Sequence, residues 1–224
     1  MTESDFAAIT LTITLATTVT VLLMLGGTPL ALWLGRSPSR WAGVVNALVT
    51  LPLVLPPTVI GFYLLIAMGP DGPIGRITSW MGLTTLAFSF PGLVMASIIY
   101  SLPFVVQPIS NAIASVGDRP VEVAATLGAG PVDRFFTVIM PLAWRGFLTA
   151  AVLGFAHTVG EFGIVLMIGG NIPGETQVIS VLIFEHVEAL DYASAHILSG
   201  LMIVFSLIVL IPLYWRANPG RLLP

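Results

Sequence analysis

The chain has 224 residues, of which 56% are hydrophobic and 8% are charged, and its formal net charge at pH 7 is -3. A soluble domain carries about 25% charged residues, so this composition indicates a protein that lies in a lipid bilayer. Cysteine is absent, which excludes disulfides, thiolate metal sites and thiol catalysis. Lysine is absent too, and a P-loop needs a lysine to contact nucleotide phosphates.

Five long runs that are almost free of charged residues predict helices that cross the bilayer. A helix needs about 20 apolar residues to cross a hydrocarbon layer of about 30 Å, and only Glu161 interrupts these runs. A soluble helical core would need helices with polar faces, which the runs lack. We therefore expect an all-α, polytopic (multi-pass) membrane protein with five transmembrane helices. The predicted spans are 8–34, 42–68, 84–108, 146–168 and 192–215.

Arginine is distributed unequally between the two sets of segments that connect these spans. One set contains seven of the eight arginines, and the other set contains only Arg76. Positive charge favours the cytoplasmic side, so we expect an N-terminus outside, a C-terminus inside and residence in the cytoplasmic (inner) membrane. The outer segment 176–190 is amphipathic and predicts a helix on, or dipping into, the outer leaflet. The arginine-rich set is 36–40, 117–145 and 216–224, with Arg36, Arg40, Arg119, Arg134, Arg145, Arg216 and Arg221.

Proline is concentrated in the second and third spans. In the second span Pro56 and Pro57 are adjacent, and Thr58 and Gly61 follow them. Proline inside a helix removes a backbone hydrogen bond and bends the helix, and in a bilayer the freed carbonyl groups must face protein or water. These four residues are therefore a candidate break that lines a translocation pathway. An ordinary kink of a membrane helix is the alternative.

Polar side chains in the third and fourth spans are further candidates for the pathway. Ser97 and Thr158 could line it, or could hydrogen-bond to carbonyl groups of their own helices. His157 and Glu161 are four residues apart, a spacing that places side chains on one helix face. Because a carboxylate within a span is costly and normally has a partner, we predict that these two residues pair. The alternative is that Glu161 accepts hydrogen bonds from backbone N–H groups.

The segment 118–141 has the sequence signals of two short helices. Asp118 favours a helix start, and Gly128 favours a helix end at which glycine adopts a positive φ. A second helix is expected from Pro131 onward. A solvated loop would be hydrophilic throughout, so the segment is predicted to dock against another protein. The apolar face of the second helix is predicted to consist of Phe135, Phe136 and Ile139.

The same segment resembles the Glu-Ala-Ala…Gly…Ile-x-Leu-Pro loop of the permease subunits of ATP-binding-cassette (ABC) importers. The matching residues are Glu122, Ala124, Gly128, Val138, Met140 and Pro141. Val123 and Ala125 depart from the family pattern. In that family the loop forms coupling helices that sit in a groove of a cytoplasmic ATPase. The resemblance implies that the residues which couple to the ATPase are Glu122, Ala124, Gly128, Phe135, Phe136 and Pro141.

Three further segments narrow the resemblance to the molybdate-type permeases among the type I ABC importers. The resemblance covers nearly the whole chain and departs at His157, where arginine is common in the family. It implies one permease domain over 1–224, two copies that form one pathway, two ATPase subunits and an extracytoplasmic oxyanion-binding protein. The three matching segments are 51–61, 160–163 and 171–176.

Several alternatives to a molybdate permease are open at this point. Sulfate, thiosulfate or tungstate could replace molybdate within the same family. An ion-coupled secondary transporter is the alternative from a different class, but it would need intramembrane carboxylates, and only Glu161 is present in the runs. We expect no catalytic, cofactor or metal site in the chain and no nucleic-acid partner. If ATP drives transport, a separate chain must bind it.

Overall fold

The computed structural model of the protein describes residues 3–82 and 84–217. These residues form eleven α-helices, one π-helical turn and no β-strand, which confirms the predicted all-α class. The predicted inner segment 216–224, with Arg221, lies largely outside the described residues. The π-helical turn, Phe135–Ile139, lies between α7 and α8. The helices are α1 (Glu3–Arg36), α2 (Arg40–Val54), α3 (Pro57–Met68), α4 (Pro73–Trp80), α5 (Phe90–Val116), α6 (Arg119–Thr126), α7 (Pro131–Arg134), α8 (Met140–Gly160), α9 (Gly163–Gly169), α10 (Ile179–Glu188) and α11 (Tyr192–Ala217).

Helix α5 lies at the centre of the bundle, where it packs against α1, α2, α8 and α9. Glycine permits the closest approaches. A Cβ atom on Gly154 of α8 would lie 2.6 Å from Cγ2 of Val105, and one on Gly35 of α1 would lie 2.7 Å from the carbonyl oxygen of Ser110. Lipid provides no hydrophobic drive for helices to associate, so small residues that bring backbones together stabilise such contacts.

Four helices in the described part of the chain are long and apolar enough to cross a membrane. The predicted spans 8–34 and 192–215 correspond to α1 and α11. The predicted span 42–68 is instead divided into α2 and α3, and the axis turns by 110° between α2 and the segment that α3 and α4 form together. Counting this bent pair as one span gives five. The four long helical segments are Glu3–Arg36, Phe90–Val116, Pro131–Gly160 and Tyr192–Leu213.

The third and fourth spans differ from their predicted boundaries. The predicted span 84–108 begins only at α5, because the Ser89 hydroxyl group caps this helix by accepting a hydrogen bond from the Gly92 N–H group. The predicted span 146–168 is not continuous. Helix α8 ends before Glu161, which has extended backbone, and the chain becomes helical again in α9.

The segment 176–190 contains helix α10, as the sequence predicted. The side chains of Ile179, Val181 and Leu182 are buried, and α10 packs against α1 and α11. The Ile179 N–H group, at the start of α10, donates a hydrogen bond of 2.9 Å to the Thr12 hydroxyl group of α1. These contacts make α10 a part of the bundle.

A small charged cluster joins α10 to its neighbours at its C-terminal end. The His186 ring lies 3.7 Å from a carboxylate oxygen of Asp5 on α1 and 3.7 Å from one of Asp191, which precedes α11. Hydrogen bonds from Ser194 lower the pKa of the Asp191 carboxyl group below its usual value. Asp191 therefore acts as a charged cap at the start of α11.

Candidate functional site

The arginine-rich end of the bundle carries the segment 118–141, and α6 forms its first half. Val121 of α6 is buried, whereas Glu122 is exposed and Ala124 is half-buried. After α6 the chain turns at Gly128, whose φ of 88° confirms the predicted left-handed conformation. A residue with a Cβ atom is strained in this conformation.

The second half of this segment is not a separate short helix, which corrects the prediction made from the sequence. Helix α7 is a single turn that leads through the π-helical turn into α8, so that Pro131–Gly160 is one continuous helix. In the π-helical turn the Met140 N–H group bonds to the Phe135 carbonyl oxygen, five residues earlier. Pro141 has no N–H group to donate, and a π-helical turn is one way in which a helix accommodates such a local change in its hydrogen bonds.

The predicted apolar side chains of this half point in different directions. Ile139 is buried. Phe135 packs edge-on against Phe147 of α8, with 6.3 Å between the ring centres. Phe136, in contrast, is 59% exposed, and Pro141 is exposed as well. Phe135 therefore fixes the segment to the bundle, whereas Phe136 and Pro141 remain exposed.

Exposed apolar side chains from α6, α7 and the π-helical turn gather at this end of the molecule. Their exposed fractions reach 82% at Leu127 and 70% at Val132. The three elements contact one another, so these side chains lie on neighbouring parts of one surface. Exposed apolar patches with polar borders are typical of protein interaction sites. We call this patch the loop surface; it consists of Glu122, Val123, Leu127, Val132 and Phe136.

An ion pair joins the start of α6 to the end of α1. The Arg36 guanidinium group, at the end of α1, donates a hydrogen bond of 3.0 Å to the Asp118 carboxylate, just before α6. Both side chains are partly or largely exposed, so the pair contributes at most about 1 kcal/mol to stability. Its consequence is geometric, because it holds the start of α6 beside a helix that packs along the bundle core.

The first interruption of an apolar helix lies between α2 and α3. Leu55 and Pro56 have extended backbone, and Pro57 is the first residue of α3, where a missing N–H group costs nothing. Thr58 is exposed, whereas Gly61 is buried. The break that the paired prolines predicted is therefore present.

The second interruption lies between α8 and α9, and no proline marks it. Glu161 has extended backbone, with ψ of 129°. Its carbonyl oxygen accepts a hydrogen bond of 2.5 Å from the Ser180 hydroxyl group of α10. Its side chain is 4% exposed. The Ser97 hydroxyl group faces the carboxyl group, but among the described residues none of these side-chain oxygens completes a hydrogen bond of regular geometry.

The two interruptions meet in space, because α3 packs against α9. A Cβ atom on Gly163 would lie 2.8 Å from Cβ of Pro57, and one on Gly61 would lie 2.9 Å from Cβ of Met167. Neither position admits a larger residue without displacement of its neighbour. Two segments that are far apart in sequence thus form one site. We call it the break site; it consists of Pro57, Gly61, Glu161 and Gly163.

His157 does not pair with Glu161, so this prediction is wrong. The Nδ1 atom of His157 is hydrogen-bonded to the Ser101 hydroxyl group at 2.9 Å, and the imidazole ring stacks on Phe104 with 3.8 Å between ring centres. The physical reason is that α8 ends at Gly160. Because Glu161 has left the helix, the four-residue spacing no longer places the two side chains on one face.

Ser97 and Thr158 are buried between α5 and α8. The Thr158 hydroxyl group donates a hydrogen bond of 2.9 Å to the Gly154 carbonyl oxygen. The Ser101 hydroxyl oxygen lies 3.0 Å from the Thr158 hydroxyl oxygen. Thr158 therefore hydrogen-bonds to a carbonyl group of its own helix, which was the alternative considered for it. Ser97 is fully buried beside Glu161.

Several polar residues of these sites were not predicted from the sequence. Ser101 follows Ser97 by four residues, a spacing that indicates a shared helix face. No local signal identifies Ser180, because its partner is the backbone of a residue from another helix. Asn46 of α2 and Gln107 of α5 form a hydrogen bond of 2.6 Å. Asn46 and Gln107 carry no charge, so a search for charged residues in the spans passes over them.

The described residues thus form a bundle of apolar helices with two interruptions and an exposed apolar surface at the arginine-rich end. Residues 27–215 match the family described as "Binding-protein-dependent transport system inner membrane component". The chain belongs to this family.

Relatives and a solved structure agree with this assignment. The molybdenum transport system permease protein ModB of Azotobacter vinelandii is 63% identical over 214 residues, which cover 96% of this chain and 95% of that protein. The sulfate transport system permease protein CysT of Synechocystis sp. is 34% identical over 195 residues, 87% of this chain and 68% of that protein. A crystal structure of a bacterial alginate ABC transporter, in complex with an alginate-bound periplasmic protein, matches with a TM-score of 0.74 at 20% identity and covers 96% of this chain and 77% of that chain. This likeness concerns the fold alone, and it confirms the predicted fold of an ABC importer permease.

Proposed function

We propose that this chain is the membrane-spanning subunit of an ABC importer that carries molybdate across the cytoplasmic membrane. The 63% identity to the molybdenum permease of A. vinelandii, over almost the full length of both chains, carries this proposal. The more distant sulfate permease makes sulfate the second candidate. Thiosulfate and tungstate are tetrahedral anions of the same kind.

In this proposal the chain works as a homodimer with two cytoplasmic ATPase subunits and an extracytoplasmic oxyanion-binding protein. The arginine-rich end faces the cytoplasm. The chain has no lysine and therefore no P-loop, so the ATPase subunits bind and hydrolyse the nucleotide. This subunit supplies the pathway and no catalytic group.

The loop surface is the proposed contact with the ATPase, within the coupling segment 118–141. Glu122, Phe136 and Pro141 are exposed at this end, which supports a direct contact. Ala124 and Gly128 shape the first coupling helix and its turn. Phe135 packs on the bundle, which supports a role in transmitting the movement.

The continuous helix Pro131–Gly160 offers a mechanical route from the loop surface to the break site. At 1.5 Å per residue it is about 45 Å long, and its far end adjoins Glu161. A displacement of the loop surface by the ATPase would tilt this helix and move α9 against α3. Such rigid-body movement of packed helices is how one subunit alternately opens two sides of a pathway.

The proposed translocation pathway runs along the break site. Pro57 and Gly61 contribute the α3 side of this site, and Pro56 and Thr58 adjoin it. Thr58 is exposed, which supports a place on the surface of the pathway. Behind it Ser97, Thr158 and Glu161 are buried and His157 is half-buried, where α5, α8 and α9 pack together. Their burial supports a role in setting the shape of the gate.

Transport is tested by reconstituting the chain in liposomes with its ATPase and its oxyanion-binding protein. We expect ATP-dependent uptake of labelled molybdate, which excess tungstate reduces strongly and excess sulfate reduces weakly. The mass of the detergent-purified complex should correspond to two copies of this chain with two ATPase subunits. Uptake of sulfate in preference to molybdate would favour the second candidate. Uptake without ATP or the ATPase would refute the importer proposal.

The coupling segment is tested by co-purification with the ATPase in mild detergent. The combination Gly128→Val and Glu122→Ala should reduce both ATPase recovery and uptake by at least about tenfold, because valine is strained at φ of 88°. The control is Gly130→Val in the same turn, where φ is -71° and a Cβ atom meets nothing within 4 Å. Undiminished ATPase recovery and uptake with the double variant would contradict the assignment.

A further inference from the structure

A polar cavity opens between α1, α2 and α5 on the arginine-rich side of the bundle. Its volume is about 290 Å³, which is room for an ion with several water molecules. Three amide side chains line it, and none of the described residues that line it carries a charge. The lining includes Asn46, Gln107, Ser110 and Asn111, together with the small residues Gly35, Ala42, Gly43 and Ala114.

These amides lie well inside apolar helices. Asn46 is about 9 Å along α2 from its first residue, and Gln107 is about 13 Å along α5 from its last residue, at 1.5 Å per residue. Even so, Asn46 and Asn111 are exposed and Gln107 is half-exposed. Polar side chains at such a depth face protein or a water-filled cavity, because lipid cannot satisfy their hydrogen bonds. This face of the bundle is therefore not covered by lipid.

The hydrogen bond between two of the amides leaves donors free. Gln107 Nε2 donates to Asn46 Oδ1 over 2.6 Å. In the described part of the chain the amide nitrogens of Asn46 and Asn111 make no hydrogen bond, and both residues line the cavity. Uncharged N–H donors suit an oxyanion that must pass through. They hydrogen-bond its oxygens without the strong attraction of a fixed positive charge, which would retain it.

We propose that Asn46, Gln107 and Asn111 form a water-filled exit site, at which amide N–H groups bind the transported oxyanion on its way to the cytoplasm. This inference rests on the proposed function and adds the site, its donors and its location on α2 and α5. The break site lies further along the same bent pair of helices. The exit site therefore lies between the break site and the arginine-rich end.

The first test compares two substitutions of Asn46 in the reconstituted transporter. Asn46→Asp keeps an acceptor for Gln107 but adds a negative charge, whereas Asn46→Leu removes the hydrogen bond and adds no charge. An exit site for anions predicts that Asn46→Asp lowers uptake on the order of tenfold, by charge repulsion, and lowers it more than Asn46→Leu does. A role limited to the hydrogen bond between Asn46 and Gln107 predicts the reverse order, and that result would overturn the proposal. Absence of uptake by the wild type would instead refute the proposed function.

The second test measures water access and does not depend on uptake. Single cysteines are introduced in this cysteine-free chain by Asn46→Cys and Asn111→Cys, with Leu48→Cys as the control on α2. Leu48 is 63% exposed and, two residues from Asn46, lies on a different helix face. A small charged thiol reagent should modify the first two variants from the cytoplasmic side, at least about tenfold faster than the control, and molybdate should slow this reaction.

Two results would overturn the proposal in the second test. One is equal modification of Leu48→Cys and Asn46→Cys, because the cavity would then be no wetter than the rest of α2. The other is the absence of modification together with disulfide formation between two copies at Asn46→Cys. That result would make the amides a dry contact between the copies of the homodimer.

Discussion

The two helix interruptions of the break site have different physical causes. Between α2 and α3 the interruption is local, since Pro56 and Pro57 lack the N–H groups that would continue the helix. Between α8 and α9 no residue forbids a helix. There the extended backbone of Glu161 is held from outside, by the Ser180 hydroxyl group on its carbonyl oxygen and by the contact of Gly163 with Pro57.

This difference has a consequence for how each interruption responds to substitution. An interruption with a local cause can be abolished by one substitution in the same segment, unless tertiary contacts also hold the bend. A tertiary cause is sensitive to residues that lie on other helices. Because α3 packs on α9, we expect that these contacts stabilise both interruptions and that the prolines of the first are partly redundant.

The largest loss of stability is expected for Gly163→Ala. The new Cβ atom would lie 2.8 Å from Cβ of Pro57, so α3 and α9 must separate. Overpacking of this kind costs about 1–3 kcal/mol. The measurement is the free energy of unfolding of the purified chain in one detergent, supported by its melting temperature.

Gly160→Ala is the matched control for this prediction. It introduces the same methyl group three residues earlier, at a position where a Cβ atom meets nothing within 4 Å. We expect it to leave the stability unchanged or to raise it by up to about 1 kcal/mol, because alanine lowers the conformational entropy of the unfolded chain. Equal destabilisation by both substitutions would show that glycine is needed for backbone reasons alone, and the packing explanation of the break site would fail.

A smaller loss of stability is expected for Ser180→Ala. This change removes the only donor that the structure shows for the carbonyl oxygen of Glu161 among the described residues, and the loss of such a hydrogen bond costs about 0.5–1.5 kcal/mol. Ser206→Ala is the control, because Ser206 donates to the Met202 carbonyl oxygen within its own helix. That carbonyl group keeps its helical partner, so the control should be close to neutral in the same unfolding assay. Similar losses in both variants would contradict a special role for Ser180.

Sequence patterns predicted those features of the fold that have local causes. Charge-free runs predicted the long helices, Pro56 and Pro57 predicted the first interruption, and Gly128 predicted a left-handed turn that the structure contains. Each of these signals is a property of the segment itself. The all-α class and the first half of the segment 118–141 followed from them.

Features with tertiary causes were not predictable in this way. The interruption at Glu161 depends on Ser180 and Gly163, and neither residue is unusual in its own segment. The predicted pairing of His157 with Glu161 assumed a continuous helix, and it failed when that assumption failed. The candidate lining residue Ser97 is buried in the bundle, because its part of α5 packs against α8 and α9.

The smallest effect is expected for Pro56→Ala, which tests whether the first interruption needs its proline. Replacing proline increases the conformational entropy of the unfolded chain, so stability should fall by about 0.4–1 kcal/mol. The bend itself should persist, because Gly61 remains packed on Met167 and Pro57 on Gly163.

Spin labels on cysteines introduced by Leu48→Cys and Ile66→Cys, both exposed, report the angle between α2 and α3 as a distance. Along one straight helix these sites would be about 27 Å apart at 1.5 Å per residue, whereas the bend of 110° brings them closer. We expect the same distance distribution in Pro56→Ala as in the variant that keeps Pro56, and a shifted distribution when Gly163→Ala is added. A shift towards the straight-helix distance in Pro56→Ala alone would assign the bend to the proline and remove the need for the contact between α3 and α9.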